Sequence, residues 1–340
     1  MLNSKVQYTK LGKTNLNVSR ICIGCMGFGD PNNGFHKWTL PEPESRKVIK
    51  YALDKGINFF DTALVYQNGT SEQYLGRAVK DFSKREDVVI ATKFFPRSPE
   101  EIAKGVSGQE HVATMIEKSL KNLGTNYIDL YIVHNWDNLT PLEETMEGLH
   151  NVVKAGKARY IGASNCFAWQ LAKANYIAEK NGWTPFSSLQ VHHNLIYREA
   201  ERELVPLCYD QKIGLTPYSP LASGRLCMPF GQKDSRIEKD AYAPLKYKRT
   251  ENLDKLVIDR VEEIAKKRNL PMSQISTAWI MNKTDSPIIG ATEFKHIDDA
   301  IAAMQIKLTK EEIDYLEEPY FPHPLTPQML SNLKGKNFKL

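Results

Sequence analysis

The sequence predicts an α/β fold: a (β/α)8 TIM barrel with an N-terminal β-hairpin plug and a long loop after the seventh strand. Three observations predict it. Short β-prone runs alternate with helical patterns almost without a break, and the alternation repeats eight times, the number that closes such a barrel. Glycines follow the helical patterns at Lys55-Gly56, Leu123-Gly124, Ala155-Gly156 and Asn181-Gly182, where they act as stops. Three strand-like runs end in reactive side chains: 57–60 delivers Asp61 and then Tyr66, 88–92 stops at Lys93, and 128–133 stops at His134. In a barrel of parallel strands, those C-terminal ends are where chemistry is placed.

Taken in order, the runs 6–10 and 16–18 flank a turn at 12–15 and read as a hairpin across the N-terminal mouth. The first barrel strand covers 21–24, with a helix over 44–55. The pairs that follow are 57–60 with 71–80, 88–92 with 110–123, 128–133 with 142–155, 158–162 with 169–180, and 188–191 with 201–211. Strand 213–217 leads, after a long excursion over 219–251, to helices over 252–267 and 273–282. Strand 287–290 with helix 295–304 completes the set. No linker, low-complexity tract or further repeat interrupts the 340 residues, so one domain spans 1–340. The excursion is long and polar, which predicts few core contacts and an order that depends on ligand.

Composition bounds the partners. The net charge is +5, with 45 basic and 40 acidic residues interspersed, too mild and mixed for a nucleic-acid footprint. The five cysteines (Cys22, Cys25, Cys166, Cys208, Cys227) have no disulfide-framework spacing and read as reduced thiols of a cytoplasmic protein. No leader-like apolar stretch opens the chain and no run approaches a membrane span. The sequons Asn68-Gly69-Thr70 and Asn138-Leu139-Thr140 carry no weight without secretion.

The chemistry is that of carbonyl reduction. A phenol has an unperturbed pKa of about 10 and is a poor acid at neutral pH. An ammonium beside it, itself held by a carboxylate, would lower that value and let it donate a proton. Other features stay bland. Cys22-x-x-Cys25 lies on a strand and not at a helix start, so it is not a redox motif. His192-His193 lacks spaced partners for a metal and reads as pocket lining. Gly27-Phe28-Gly29 is not a Gly-x-Gly-x-x-Gly phosphate loop. Trp38, Trp136 and Tyr197 lie in loops at the catalytic mouth, where they are candidates for a hydrophobic substrate pocket.

Five motifs in order resemble the aldo-keto reductase superfamily over essentially the whole chain. Phe60-Asp61-Thr62-Ala63-(x)2-Tyr66 is followed by Ser71-Glu72-(x)2-Leu75-Gly76. Then come Ala91-Thr92-Lys93, Leu130-Tyr131-Ile132-Val133-His134, and Gly156-Lys157-(x)2-Tyr160-Ile161-Gly162-Ala163-Ser164-Asn165. Trp136-Asp137 and 194–198 are similar to microbial aryl-alcohol dehydrogenase-like members. The resemblance implies a catalytic set of Asp61, Tyr66, Lys93 and His134, in which Tyr66 is the general acid, Lys93 with Asp61 depresses its pKa, and His134 orients the carbonyl. It implies NADP as cofactor (NAD less favoured) and a small-molecule carbonyl or alcohol substrate. Ser164, Asn165 and Gln190 would meet the nicotinamide carboxamide. Tyr218, Ser219, Pro220 and Leu221 would stack on the ring and face the pyrophosphate, with Gly224 and Arg225 beside the phosphates. Gly290, Thr292, Lys295 and His296 would hold the 2′-phosphate at a helix start. There the chain departs from the family pattern, with Glu293 among the cations and Ala300 where Asn is frequent. The resemblance also leaves a regulatory NADP-binding protein like the potassium-channel β-subunits, or a Schiff-base aldolase using Lys93, as other readings.

Overall fold

The computed structural model describes residues 5–232, 238, 240 and 243–331. Strands β1 (Tyr8–Lys10) and β2 (Asn17–Ser19) form the antiparallel hairpin, with Thr9 opposite Val18. Eight parallel strands follow: β3 (Cys22–Gly24), β4 (Phe59–Asp61), β5 (Val89–Phe94), β6 (Ile128–Val133), β7 (Ala158–Ser164), β8 (Ser188–Gln190), β9 (Gly214–Leu215) and β10 (Ile288–Gly290). They pair in sequence order, and β10 pairs with β3. Across the remaining seam, the amides of Asp285 and Ser286 donate to Leu215 O, and that of Ile288 to Pro217 O at 2.9 Å. The expected eight-stranded α/β barrel is therefore present, with its hairpin.

The outer layer holds α1 (Glu42–Asp54), α2 (Thr70–Phe82), a short α3 (Pro99–Ala103), α4 (Gly108–Leu123), α5 (Leu142–Lys154), α6 (Ala168–Asn181) and α7 (Leu204–Gln211). Beyond β9 come α8 (Ala243–Tyr247), α9 (Glu251–Arg268) and α10 (Met272–Met281). After β10 come α11 (Phe294–Ala303), α12 (Lys310–Glu317) and α13 (Pro327–Ser331). The helix α4 starts before its expected residue 110, because Ser107 and Glu110 form a capping box that satisfies two end amides at once. Gly124 and Gly182 end α4 and α6 in left-handed backbone, as expected of the stops.

Alternation along each strand sorts the apolar residues into two cores. Ile23, Phe60, Ile90, Tyr131 and Val133 point outward and join one cluster with the helices. Cys22, Phe59, Val89, Ala91, Leu130 and Ile132 point inward, where Leu11, Leu16 and Val18 of the hairpin region cap them. Inward parity continued by two residues gives Asp61 after Phe59, Lys93 after Ala91 and His134 after Ile132. The reactive side chains thus form the next rung above an apolar plug.

The excursion after β9 contradicts the expectation of few core contacts. Residues 233–237, 239, 241 and 242 of it lie outside the described set, but Leu226, Ala243 and Tyr247 are almost fully buried. They share a cluster with Val257, Val261 and Trp279 of α9 and α10. Apolar residues spaced through a polar stretch supply this anchorage, which composition averaged over the whole loop conceals.

Gly76 sets the spacing of α2 and α4. A Cβ there would lie 2.1 Å from Leu123 O and 2.6 Å from Leu123 C, which are backbone atoms that cannot rotate away. Gly76→Ala is therefore expected to lose about 3 kcal/mol by overpacking, although alanine is the better helix former. A urea midpoint equal to wild type would sink this account.

Candidate active site

The ammonium of Lys93 is wholly buried and binds three oxygens: Asp61 Oδ1 at 2.6 Å, Thr62 O at 2.6 Å and Tyr66 OH at 3.3 Å. Gln190 Nε2 donates to the other carboxylate oxygen, Asp61 Oδ2, at 2.8 Å. Beneath this cluster Thr62 Oγ1 meets Ser71 Oγ at 3.0 Å, and Ser71 Oγ donates to Cys25 O at 2.8 Å. On the outward side of β5, Thr92 Oγ1 donates to the buried Glu72 at 2.6 Å. The loop carrying Tyr66 is thus tied to both the strand and the first turn of α2.

The ring of His134 stands edge-on to Tyr66, with centroids 5.9 Å apart at 82°. Its other neighbour is Phe95, stacked at 4.6 Å and 20°. Its Nδ1 is buried and has no hydrogen-bond partner among the described residues. The four residues expected to act together are therefore neighbours in space: Lys93 reaches Tyr66 OH, Asp61 holds Lys93, and His134 stands against the Tyr66 ring.

Electrostatics correct one expectation. Burial pushes the Tyr66 phenol above its ordinary value, and the opposing pull of Lys93 does not overcome it. The phenol keeps its proton, as a general acid must before it acts. Burial alone would lower the Lys93 pKa, but Asp61 and Tyr66 hold its ammonium higher than usual. Burial also raises Asp61, against Lys93 and Gln190. Burial, helped by the charge of Lys93, holds His134 well below the usual imidazole range, so it is neutral.

The expected cofactor residues lie together above this cluster. Tyr218 OH donates to Asn165 Oδ1 at 2.9 Å, and Asn165 Nδ2 donates to His134 O at 2.9 Å and Ser164 Oγ at 3.1 Å. Ser164 Oγ donates to Gln190 O at 2.9 Å. Ser219, Ala222 and Ser223 hold positive φ (53°, 50° and 55°), as does Gly224 (95°), in the turn that also contains Pro220 and Leu221. Left-handed backbone costs a non-glycine residue about 1 kcal/mol or more and clusters at ligand-binding segments. Asn194 Nδ2 pins this turn through Ser219 O at 2.9 Å. Next to it, Arg225 Nη1 is buried without an acceptor among the described residues, a donor suited to an anionic phosphate. At the far end, beyond Gly290, His296 Nδ1 accepts from Thr292 N at 3.3 Å and Lys295 pairs with Asp299. Glu293 is exposed, whereas Ala300 is packed in the core, which explains the missing polar residue there.

Two of the three aromatic candidates are misplaced by sequence reasoning. Tyr197 is buried and stacks at 4.2 Å on His192, whose ring parallels that of Tyr218; it backs the wall and does not face a pocket. Trp136 turns towards the helices and lines a hollow with Phe94, His111 and Phe186, away from Tyr66. Trp38 stays at the mouth, over Gly27 and beside Thr292. His192 and His193 are structural and not pocket lining: His192 Nε2 meets Tyr247 OH at 2.7 Å and His193 Nε2 meets Glu201 at 2.9 Å. Cys22 and Cys25 are buried, and burial pushes both thiols up, against redox reactivity. Among the described residues no cluster of three His, Cys, Asp or Glu side chains could hold a metal ion. Phe95 was missed, although it continues the inward parity of Lys93; Lys246, its Nζ 5.0 Å from the Tyr218 ring centre, carried no signal at all.

Residues 20–320 match the model of the aldo/keto reductase family. The chain belongs to that family. It is 40% identical to the versiconal hemiacetal acetate reductase of Aspergillus parasiticus, covering 95% of this chain and 99% of the relative. It is also 40% identical to a protein of Saccharomyces cerevisiae provisionally named an aryl-alcohol dehydrogenase, covering 93% and 98%. A thermostable aldo-keto reductase solved with the inhibitor epalrestat superposes with a TM-score of 0.74 at 28% identity, over 92% of this chain and 99% of that one. This aldo/keto reductase is thus an oxidoreductase-family enzyme with aryl-alcohol dehydrogenase-like relatives. No helix among its described residues is long and apolar enough to cross a membrane.

The buried histidines of this aldo/keto reductase make its stability pH-dependent. His192 and His193 are held below the usual imidazole value, chiefly by burial. Their neutral forms favour the fold fully above the unfolded pKa of about 6.5, and each loses up to about 1.4 kcal/mol per pH unit from there down to its lowered folded value. Glu201, lowered to about 2 by His193 and Arg198 against burial, adds a second loss as pH falls from its ordinary range towards 2. Urea midpoints are expected to drop between pH 7.5 and pH 5.5; equal midpoints would refute the assignment.

Proposed function

We propose that this protein reduces aldehydes or ketones with NADPH, reversibly, with Tyr66 as general acid. The observation that carries the reading is the Lys93 ammonium, pinned by Asp61 and in contact with the Tyr66 hydroxyl. A nicotinamide cofactor, when bound, supplies hydride to the carbonyl carbon. Tyr66 delivers its proton to the carbonyl oxygen as negative charge grows there, and Lys93 stabilises the phenolate left behind. Neutral His134 orients the carbonyl beside Tyr66. Ser164, Asn165, Tyr218, the 219–224 turn and Arg225 would hold the cofactor, with Gln190 supporting Asp61 as well. The substrate is a small carbonyl or alcohol, with neither nucleic acid nor membrane as partner, and the setting is cytoplasmic.

Two other readings fare worse. A Schiff-base lysine must shed its proton, but Asp61 and Tyr66 keep the Lys93 ammonium charged. A purely regulatory NADP-binding protein would not need the complete Asp61, Tyr66, Lys93 and His134 arrangement.

The preference for NADP over NAD is supported by Thr292 and His296 at the start of α11, where a phosphate is favoured, and by an exposed Glu293; Lys295 is exposed too and would have to leave Asp299 to reach a phosphate. Steady-state rates with NADPH and NADH against a panel of aldehydes test the reading. NADPH is expected to be the more efficient, and Glu293→Ser should leave or sharpen that preference. Turnover of no carbonyl by either cofactor would overturn the reductase reading; NADH equal to or better than NADPH would overturn only the cofactor assignment.

A further inference from the structure

Past the end of β5 the strand ladder stops: Phe95 is followed by Pro96, whose nitrogen carries no hydrogen. The chain then runs through α3 to α4, and the start of α4 brings His111 back to the exit of β5. There His111 Nε2 meets Phe95 O at 2.8 Å, and its Nδ1 meets Glu101 Oε1 of α3 at 3.1 Å. A carbonyl can only accept, so Nε2 carries the hydrogen of the first bond. The imidazole is buried and tilted against Phe94, with ring centres 5.9 Å apart.

Glu101 serves two ends at once. Its Oε2 accepts from Ser98 N at 2.8 Å in the capping box of α3, while Oε1 holds His111. Against burial, the bonds from Ser98 and His111 lower the pKa of this carboxyl, so it stands ready as an acceptor. Arg97 and Asp137, which line the hollow beside the ring, are both tied to Thr140 instead. On the other side of the Phe95 carbonyl, the Phe95 ring stacks on His134 at 4.6 Å and 20°. His134 N also donates to Phe94 O at 2.9 Å. Phe95 is 38% exposed, so packing alone holds its ring weakly, and the bond at its carbonyl adds a fixed point. A continuous line of contacts therefore runs from α3 and α4 to the imidazole that stands against Tyr66.

We propose that His111 is a positioning residue for carbonyl reduction: by holding the Phe95 carbonyl it sets the Phe95 ring, and through that ring the tilt of His134 beside Tyr66. The proposal rests on the reductase reading and adds a residue to it. A functional histidine is usually oriented by a hydrogen bond at its second ring nitrogen. His134 Nδ1 has no such partner among the described residues, so the stacked Phe95 ring takes over that task. Orientation matters here because a displacement of about 1 Å at a reacting group can cost about 10²-fold in rate.

The test is a double-mutant cycle of His111→Phe and Phe95→Ala, assayed with NADPH against benzaldehyde and propanal. His111→Phe removes the bond to Phe95 O and keeps a ring; Phe95→Ala removes the stacked ring at a partly exposed position and should leave the fold intact. Each single variant is expected to lose about tenfold in kcat, equally for both aldehydes, with KM and NADPH affinity nearly unchanged. In the Phe95→Ala background, His111→Phe is expected to cost less than about twofold more, since its route to His134 is already cut. In the NADPH-free enzyme, the NMR signals of the His134 ring protons, shifted upfield by the stacked Phe95 ring, should move downfield in both single variants. Should His111→Phe not fold, His111→Leu takes its place in the cycle. Additive losses, a Phe95→Ala kcat within about twofold of wild type, or His134 ring protons that stay in place when His111 is replaced would overturn the proposal. A wild-type enzyme that reduces neither aldehyde would overturn the reductase reading, and this proposal with it.

Discussion

Tyr66→Phe is expected to lower carbonyl reduction by about 10³-fold, within the range that general acids contribute, while leaving cofactor affinity nearly unchanged. Only the hydroxyl is removed. The ring still presents its face to the Lys93 ammonium, 4.7 Å from its centre, and its edge relation to His134 remains. Lys93 keeps its bonds to Asp61 and Thr62, so the cluster does not collapse. Single-turnover reduction followed by the loss of NADPH absorbance separates the proton-transfer step from binding. A variant retaining more than about a tenth of wild-type turnover would show that another group supplies the proton.

Lys93→Met should cripple turnover and also cost about 3–5 kcal/mol of stability, because it leaves the buried Asp61 carboxylate unpaired. Among the described residues Asp61 would retain only Gln190 as a side-chain donor. Burial already pushes the Asp61 pKa up even with Lys93 present; with Lys93 gone, the carboxyl should take up a proton at neutral pH. Urea unfolding measures the cost, and the double variant Asp61→Asn with Lys93→Met discriminates its source. Removal of both charges should recover part of the stability and none of the turnover. A Lys93→Met variant as stable as wild type would mean that the pair contributes nothing to the fold.

The alternation of strands and helices was legible because periods of two and of about 3.6 residues are written in near neighbours. Even so, α3 and α12 escaped notice, although Ser98-Pro99-(x)1-Glu101 and Thr309-(x)2-Glu312 carry the capping boxes that start them. The catalytic candidates were legible for the same local reason: Asp61, Lys93 and His134 each continue an inward-facing parity. Tyr197 and Trp136 were misjudged because loop position says which end of the barrel a residue occupies but not which way its ring turns. Trp136 turned to the helices, and Tyr197 to His192. His111 was passed over because its value lies in bonds to Phe95 and Glu101, which form only when α4 packs against the exit of β5.

By itself, then, the sequence determined the barrel and the order of its units, and it pointed to four candidate catalytic side chains, because those depend on local pattern and on strand ends. Tertiary structure alone decided that Gln190 supports Asp61, that Phe95 backs His134, that the loop beyond Ser219 is anchored by Tyr247, and that burial raises the Tyr66 phenol against the pull of Lys93. Each depends on the register between strands distant in the chain, and on how completely the closed barrel removes these groups from water.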